Sequence, residues 1–151
     1  MKKITQFLLV IFAISSFILT ACSGNDNNAT QSPTGNTSAS PTGTWELNSY
    51  GSPTSLVAAA VDVETSIDFA ADGTLAGNVG CNGFGGDYTV DGDKIVFGQI
   101  ISTLMFCEGP VGEQEAITLA VFAESAPFTI DGDTMTITSA DGSSVVVLAR
   151  K

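Results

Sequence analysis

The sequence predicts a mainly β domain of the α+β kind: a small antiparallel sheet or partly closed barrel of about seven to eight strands with one packed helix. Three observations predict it. Asp-Gly pairs recur at Asp72-Gly73, Asp91-Gly92, Asp131-Gly132 and Asp141-Gly142, and Asp-Gly is a strong hairpin signal because type I′ turns need positive φ at both central residues. Short segments beside those pairs alternate apolar and polar residues with period two, the mark of a sheet with one buried face. One stretch, Ala116–Ala123, has neither Gly nor Pro and shows apolar residues at helical spacing instead.

The strands follow in order over a domain assigned to residues 43–151. Val63, Ile67 and Phe69 alternate with Glu64, Ser66 and Asp68. Tyr88 and Val90 lead into Asp91-Gly92, and Ile95 and Phe97 come out of it; Phe128 and Ile130 lead into Asp131-Gly132, and Met135 and Ile137 come out. The two hairpins, YTVDGDKIVF at 88–97 and FTIDGDTMTI at 128–137, stand forty residues apart. They read equally as a duplicated unit or as two instances of a common strand–turn pattern. The helix is expected to open at Glu113-Gln114-Glu115, where acids suit the helix dipole, and to end before Pro127. Its stripe of Ile117, Ala120 and Val121, flanked by Ala116 and Ala123, is expected to pack on the sheet as core.

Ahead of the domain the chain reads as export and tether. Met1-Lys2-Lys3 is a short basic start, and Phe7–Leu19 is apolar but for Ser15 and Ser16. A helix of that length reaches about 20 Å, short of the roughly 30 Å hydrocarbon core, so residues 1–21 are expected to be a signal peptide rather than a membrane span. Leu19-Thr20-Ala21-Cys22 resembles the lipobox of bacterial lipoproteins. That resemblance implies diacylglycerol on the Cys22 thiol, cleavage before it, and anchoring by palmitate-type acyl chains. Residues 22–42 carry no large apolar side chain after the cysteine and are expected to be a disordered tether. The expected location is the cell membrane or outer membrane, facing the periplasm or exterior; Ser23, where a retention signal would place Asp, favours the outer one in a two-membrane cell.

Charge removes several functional classes. The 151 residues hold five Lys and Arg, sixteen Asp and Glu, and no His. Without residues 1–21, the sixteen acids face only Lys94, Arg150 and Lys151, a net charge of −13. Such a body repels phosphate backbones, so no nucleic-acid partner is expected. Without His there is no Ser-His-Asp or Cys-His triad, and the commonest zinc ligand is missing. No cofactor or metal is expected. Asp91-Gly92-Asp93 and Asp131-Gly132-Asp133 each place two carboxylates on one turn, but the full calcium loop with its distal Glu is absent. Paired carboxylates suited to glycoside hydrolysis arise by chance among so many acids, and most lie in turns. The chain is expected not to be an enzyme.

With Cys22 committed to lipid, Cys81 and Cys107 remain as an even pair in an oxidising setting. A structural disulfide is expected, closing a loop worth about 3–4 kcal/mol in the chain-entropy model; a free buried pair and a redox-active pair are the alternatives. Gly80, Gly83, Gly85 and Gly86 around Cys81 and Asn82 suggest a bulged or sharply turned strand, with Asn82 capping neighbouring amides. Asn82, Phe84 and Trp45 are the candidate binding surface, weighed against a structural role for Asn82 and core packing for the two aromatics.

In order, GTWEL at 43–47, SIDFAADGTLAGN at 66–78, GCNGFGGDY at 80–88, ISTLMFC at 101–107, EQEA at 113–116 and FTIDGDTMTIT before the end resemble the META domain of the HslJ-like envelope proteins. The most specific element is GCN followed by the T-x-M-x-C string, here Thr103-Leu104-Met105-Phe106-Cys107; where the family often has a basic residue after the Thr, this chain has Leu104. The resemblance implies a small β fold with one helix, secreted or lipid-anchored, without an established enzymatic activity. It also implies association with heat-inducible expression, novobiocin tolerance and, in a parasite relative, virulence. The expected function is a lipid-anchored, stress-related envelope-maintenance or binding module. It would be monomeric, with an unidentified envelope or extracellular protein as partner. The alternative is an acidic inhibitor or decoy of a cationic extracellular enzyme such as a lysozyme or a protease, steered by charge.

Overall fold

A computed structural model describes residues 40–151. The expected signal peptide, the lipid-bearing Cys22 and the tether up to residue 39 lie outside the described residues. The elements are β1 (Gly43–Ser52), β2 (Ser55–Ala58), β3 (Ser66–Phe69), β4 (Thr74–Asn78), β5 (Gly83–Asp91), β6 (Lys94–Phe97), β7 (Ile101–Ser102), α1 (Gly109–Val121), β8 (Ser125–Asp131), β9 (Thr134–Thr138) and β10 (Val145–Arg150). Neighbours run β1-β3-β4-β5-β6-β8-β9-β10, and β10 pairs back onto β1 from Trp45↔Arg150 to Gly51↔Val145. The sheet expected from the sequence therefore closes completely, as an eight-stranded antiparallel barrel. Strand β2 is an extra strand on the second half of β1, and β7 an extra strand on the start of β5. A register shift between Leu47 and Ser49 bends β1 so that it serves β3 with one half and β2 with the other.

Antiparallel pairing sorts the connections to two ends. The start of β1, the β3–β4 turn at Asp72-Gly73, the β5–β6 turn and the β8–β9 turn share one end, the turn pole. The β4–β5 connection, β7, the end of β6 and the β9–β10 loop at Asp141 share the other, which α1 covers. At that helix pole Phe122, directly after α1, enters the barrel and stacks on Phe97 at 4.7 Å between ring centres. It also meets Phe69 and Phe84 edge-on. Alternate residues of the strands, among them Ile67, Phe69, Leu75, Ile95, Met135 and Ile137, complete a core from which water is excluded.

The two similar hairpins share one register: Tyr88↔Phe97 through Asp91↔Lys94, and Phe128↔Ile137 through Asp131↔Thr134. They lie side by side through β6 and β8. The pairing corrects the turn assignment by one residue. Asp91 and Asp131 close the strands, and the two-residue loops are Gly92-Asp93 and Gly132-Asp133, with Gly φ of 63° and 58°. The helix is corrected too. It starts four residues before Glu113, because Gly109 (φ 67°) turns the chain after Cys107, and Pro110 is tolerated in a first turn where its missing N–H has no partner to lose. No acid lies in that first turn. The buried face is Gln114, Thr118 and Val121, with Ile117 half-buried, while Ala116, Ala120 and Ala123 are exposed. The fold also reaches back before Gly43: Pro41 is buried, and its carbonyl accepts the Trp45 indole N–H at 2.7 Å.

Candidate functional site

The chemistry-bearing residues singled out in the sequence converge at the helix pole. The connection from β4 to β5 holds Cys81 and Asn82; the segment after β7 runs from Thr103 to Cys107. A disulfide joins Cys81 and Cys107, with Cα atoms 6.4 Å apart. Asn82 then ties three pieces of chain together. Its Oδ1 accepts from Thr103 Oγ1 at 2.7 Å and from the Met105 amide at 2.8 Å. Its Nδ2 donates to the Met105 carbonyl at 3.0 Å and to Glu115 Oε1 at 2.6 Å, while its own amide donates to Glu115 Oε2 at 2.6 Å. One residue before Glu115, buried Gln114 accepts from the Ala60 amide at 2.9 Å and donates to the Val79 carbonyl. These bonds explain the alternation in Thr103-x-Met105-x-Cys107: a hydroxyl and a main-chain pair bond Asn82, and a disulfide sulfur joins Cys81, on successive odd residues.

The three residues proposed as a binding surface are not a surface. Asn82, Phe84 and Trp45 are all buried. Trp45 sits in the core under Arg150, whose guanidinium carbon lies 4.1 Å from the ring centre. Phe84 packs edge-on against Phe122, and Asn82 has no polar atom to spare for a ligand. Alternation along strands decides this, since both aromatics fall on the inward side of their strands.

What faces water instead is a run of apolar side chains in the same segment, odd positions included. Leu104 is 96% exposed and Phe106 89%, with Met105 at 62% and Ile101 at 68%. Folded monomers seldom expose four large apolar side chains within six residues unless they make a contact. None of Leu104, Met105 or Phe106 lines the cavities of about 230, 410 and 310 Å³. Sequence reasoning missed this loop because an apolar run reads as core; its one signal was five apolar residues in the seven from 100 to 106 with no alternation.

Carboxylates line two of those cavities, Glu124 and Asp141 the one of about 230 Å³ and Glu46 and Glu64 the one of about 410 Å³. Asp141 is held at about 2 by hydrogen bonds from Ser139 and then Ser143, and the Thr74 amide and hydroxyl lower Asp72. Both are Asx-type turn residues that stay ionised at neutral pH. Near α1, burial raises the Tyr50 phenol above its ordinary value, with Glu113 adding to the rise. Cys81, Cys107 and Glu115 place ligand-type atoms within 4.8 Å of one another. The two sulfurs are spent on each other and Glu115 on Asn82, so the donor set does not fit a metal.

The described residues thus form a small closed barrel, plugged by one helix and stapled by a disulfide beside a displayed loop. The META domain model matches residues 38–151, and the chain belongs to the META domain family. Among solved structures it is similar to an NMR structure of a protein from Burkholderia xenovorans (19% identity, TM-score 0.59, covering 72% of this chain and 81% of that one). It is also similar to a second NMR structure (16%, TM-score 0.55, 70% and 86%). A DUF4847 family protein from Bacteroides vulgatus matches at 15% identity and a TM-score of 0.50, covering 73% and 93%. At these identities the likeness is one of fold. No curated protein matches the chain.

Proposed function

We propose that this META domain protein is a non-enzymatic cell-envelope module, lipid-anchored through Cys22, that binds another macromolecule through the loop 101–106. The exposure of Ile101, Leu104, Met105 and Phe106 on a main chain fixed by the disulfide and Asn82 carries this reading. Loops that are merely tolerated are polar and mobile; this one is apolar and tied at both ends. The lack of His and the depressed carboxyls of Asp72 and Asp141 support a role without acid–base chemistry.

The test is photo-crosslinking in cells, with p-benzoylphenylalanine in place of Phe106 and, as control, in place of Val90 near the turn pole. A discrete protein adduct from position 106, absent from position 90 and lost in a Cys22→Ala background, is the expected result. Adducts to lipid alone, or the same adducts from both positions, would contradict it.

A further inference from the structure

The charge around the displayed loop restricts what it takes, an inference that rests on the contact role proposed above. Residues 101–121, which comprise β7, the loop and α1, contain Glu108, Glu113 and Glu115 and neither Lys nor Arg. Glu115 is engaged by Asn82, whereas Glu108 and Glu113 are exposed. The three cations among the described residues lie elsewhere: Lys94 opens β6 at the turn pole, Arg150 covers Trp45 at the end of β10, and Lys151 follows it. Leu104, Met105 and Phe106 therefore stand in a stretch whose only charged side chains are acidic, with Glu108 two residues after Phe106.

An apolar projection with an acidic border suits a bilayer poorly, because anionic headgroups repel the border as the side chains approach. The same border attracts a basic polypeptide. An aromatic and a flexible thioether side by side form a contact that adapts to apolar side chains of varied shape.

We infer that loop 101–106 binds a basic amphipathic helical segment of a partner protein, its apolar stripe against Leu104, Met105 and Phe106 and its Lys or Arg side chains toward Glu108 and Glu113. The full chain's acidity would steer such a segment from a distance and give the association a steep salt dependence.

The test uses the full chain in phosphatidylcholine nanodiscs, with empty discs as blank. The probe is a fluorescent amphipathic helix of leucine and lysine, about 18 residues long; its leucine–glutamate counterpart is the control. Expected are binding of the lysine peptide alone, a weakening of at least about tenfold for Leu104→Ser/Phe106→Ser, and a similar loss with a flatter salt dependence for Glu108→Gln/Glu113→Gln. Asp131→Asn/Asp133→Asn, at the turn pole, should leave binding within about twofold. Near-ultraviolet circular dichroism from Trp45 confirms that each variant is folded. With benzoylphenylalanine at position 106, the adduct should form with the peptide. Equal losses from both poles would mean unspecific charge attraction and overturn the inference, as would adducts to phosphatidylcholine instead of peptide or equal binding of the glutamate peptide. If the lysine peptide fails while the in-cell experiment yields a discrete partner, the basic-segment inference falls and the contact role stands. Lipid-only adducts in cells remove the contact role itself.

Discussion

The two poles of the barrel are built by opposite means. At the turn pole, short backbone turns do the work: Gly92 and Gly132 sit at positive φ, and a Cβ on either would meet nothing within 4 Å. Each glycine is there for its backbone angle alone. At the helix pole, cross-chain ties do the work, and two glycines are there for space: a Cβ on Gly112 would land on the Cys107 carbonyl oxygen, and one on Gly77 would lie 2.6 Å from the Ser66 carbonyl. The turn pole is local in sequence. The helix pole gathers residues 60, 79–82, 103–107 and 114–115 into one network. Local structure there does not specify itself, and the network fixes a loop that burial alone would not hold.

Removing the ties should therefore hurt more than disturbing the turns. Cys81→Ser/Cys107→Ser is expected to lower unfolding free energy by about 3.5 kcal/mol in urea titration. Amide exchange should accelerate at 101–107 before it does at the turn pole. Asn82→Ala strands the Met105 amide and the Thr103 hydroxyl and should cost about 3 kcal/mol with the same exchange signature. A uniform rise in exchange at both poles would deny that the network acts locally. Gly112→Ala should cost about 2 kcal/mol or more through forced displacement of the Cys107 segment, against about 1 kcal/mol for Gly132→Ala, which pays only the left-handed φ. The β9–β10 loop at Asp141 gives a smaller, pH-dependent effect. Its folded pKa of about 2 lies below the ordinary 3.8, so its stabilisation is complete above the ordinary value and is lost as pH falls through about 2. Acid titration of Asp141→Asn against the parent should show the parent losing more stability between about pH 4 and 2.

Much of the barrel was legible because its determinants are local. Asp-Gly pairs marked the hairpins, and alternation named Ile67, Phe69, Ile95, Phe97, Met135 and Ile137 as inward residues, as they are. The turn centres were displaced by one residue because Asp-Gly and Gly-Asp coexist in each DGD string, and only pairing across the strands separates them. The helix start was hidden because Gly109, Pro110 and Gly112 read as breakers, whereas the disulfide-held chain needs a left-handed turn and a missing Cβ there. The buried face of the helix was misread for a related reason. Gln114 is interior because its amide meets two orphaned main-chain groups distant in sequence, and an apolar stripe cannot announce that. Phe106 posed the reverse problem: hydrophobicity predicts burial, and only the inward ties of Thr103, Met105 and Cys107 turn it outward.

The claim that Leu104 and Phe106 are displayed for contact, not packed for folding, is tested most directly by the unfolding free energy of Leu104→Ser/Phe106→Ser. Side chains 96% and 89% exposed bury almost no surface, so the double variant should match the parent within about 0.5 kcal/mol. A loss of about 2 kcal/mol or more would show that the loop packs onto the barrel in solution and would contradict its role as a free contact surface.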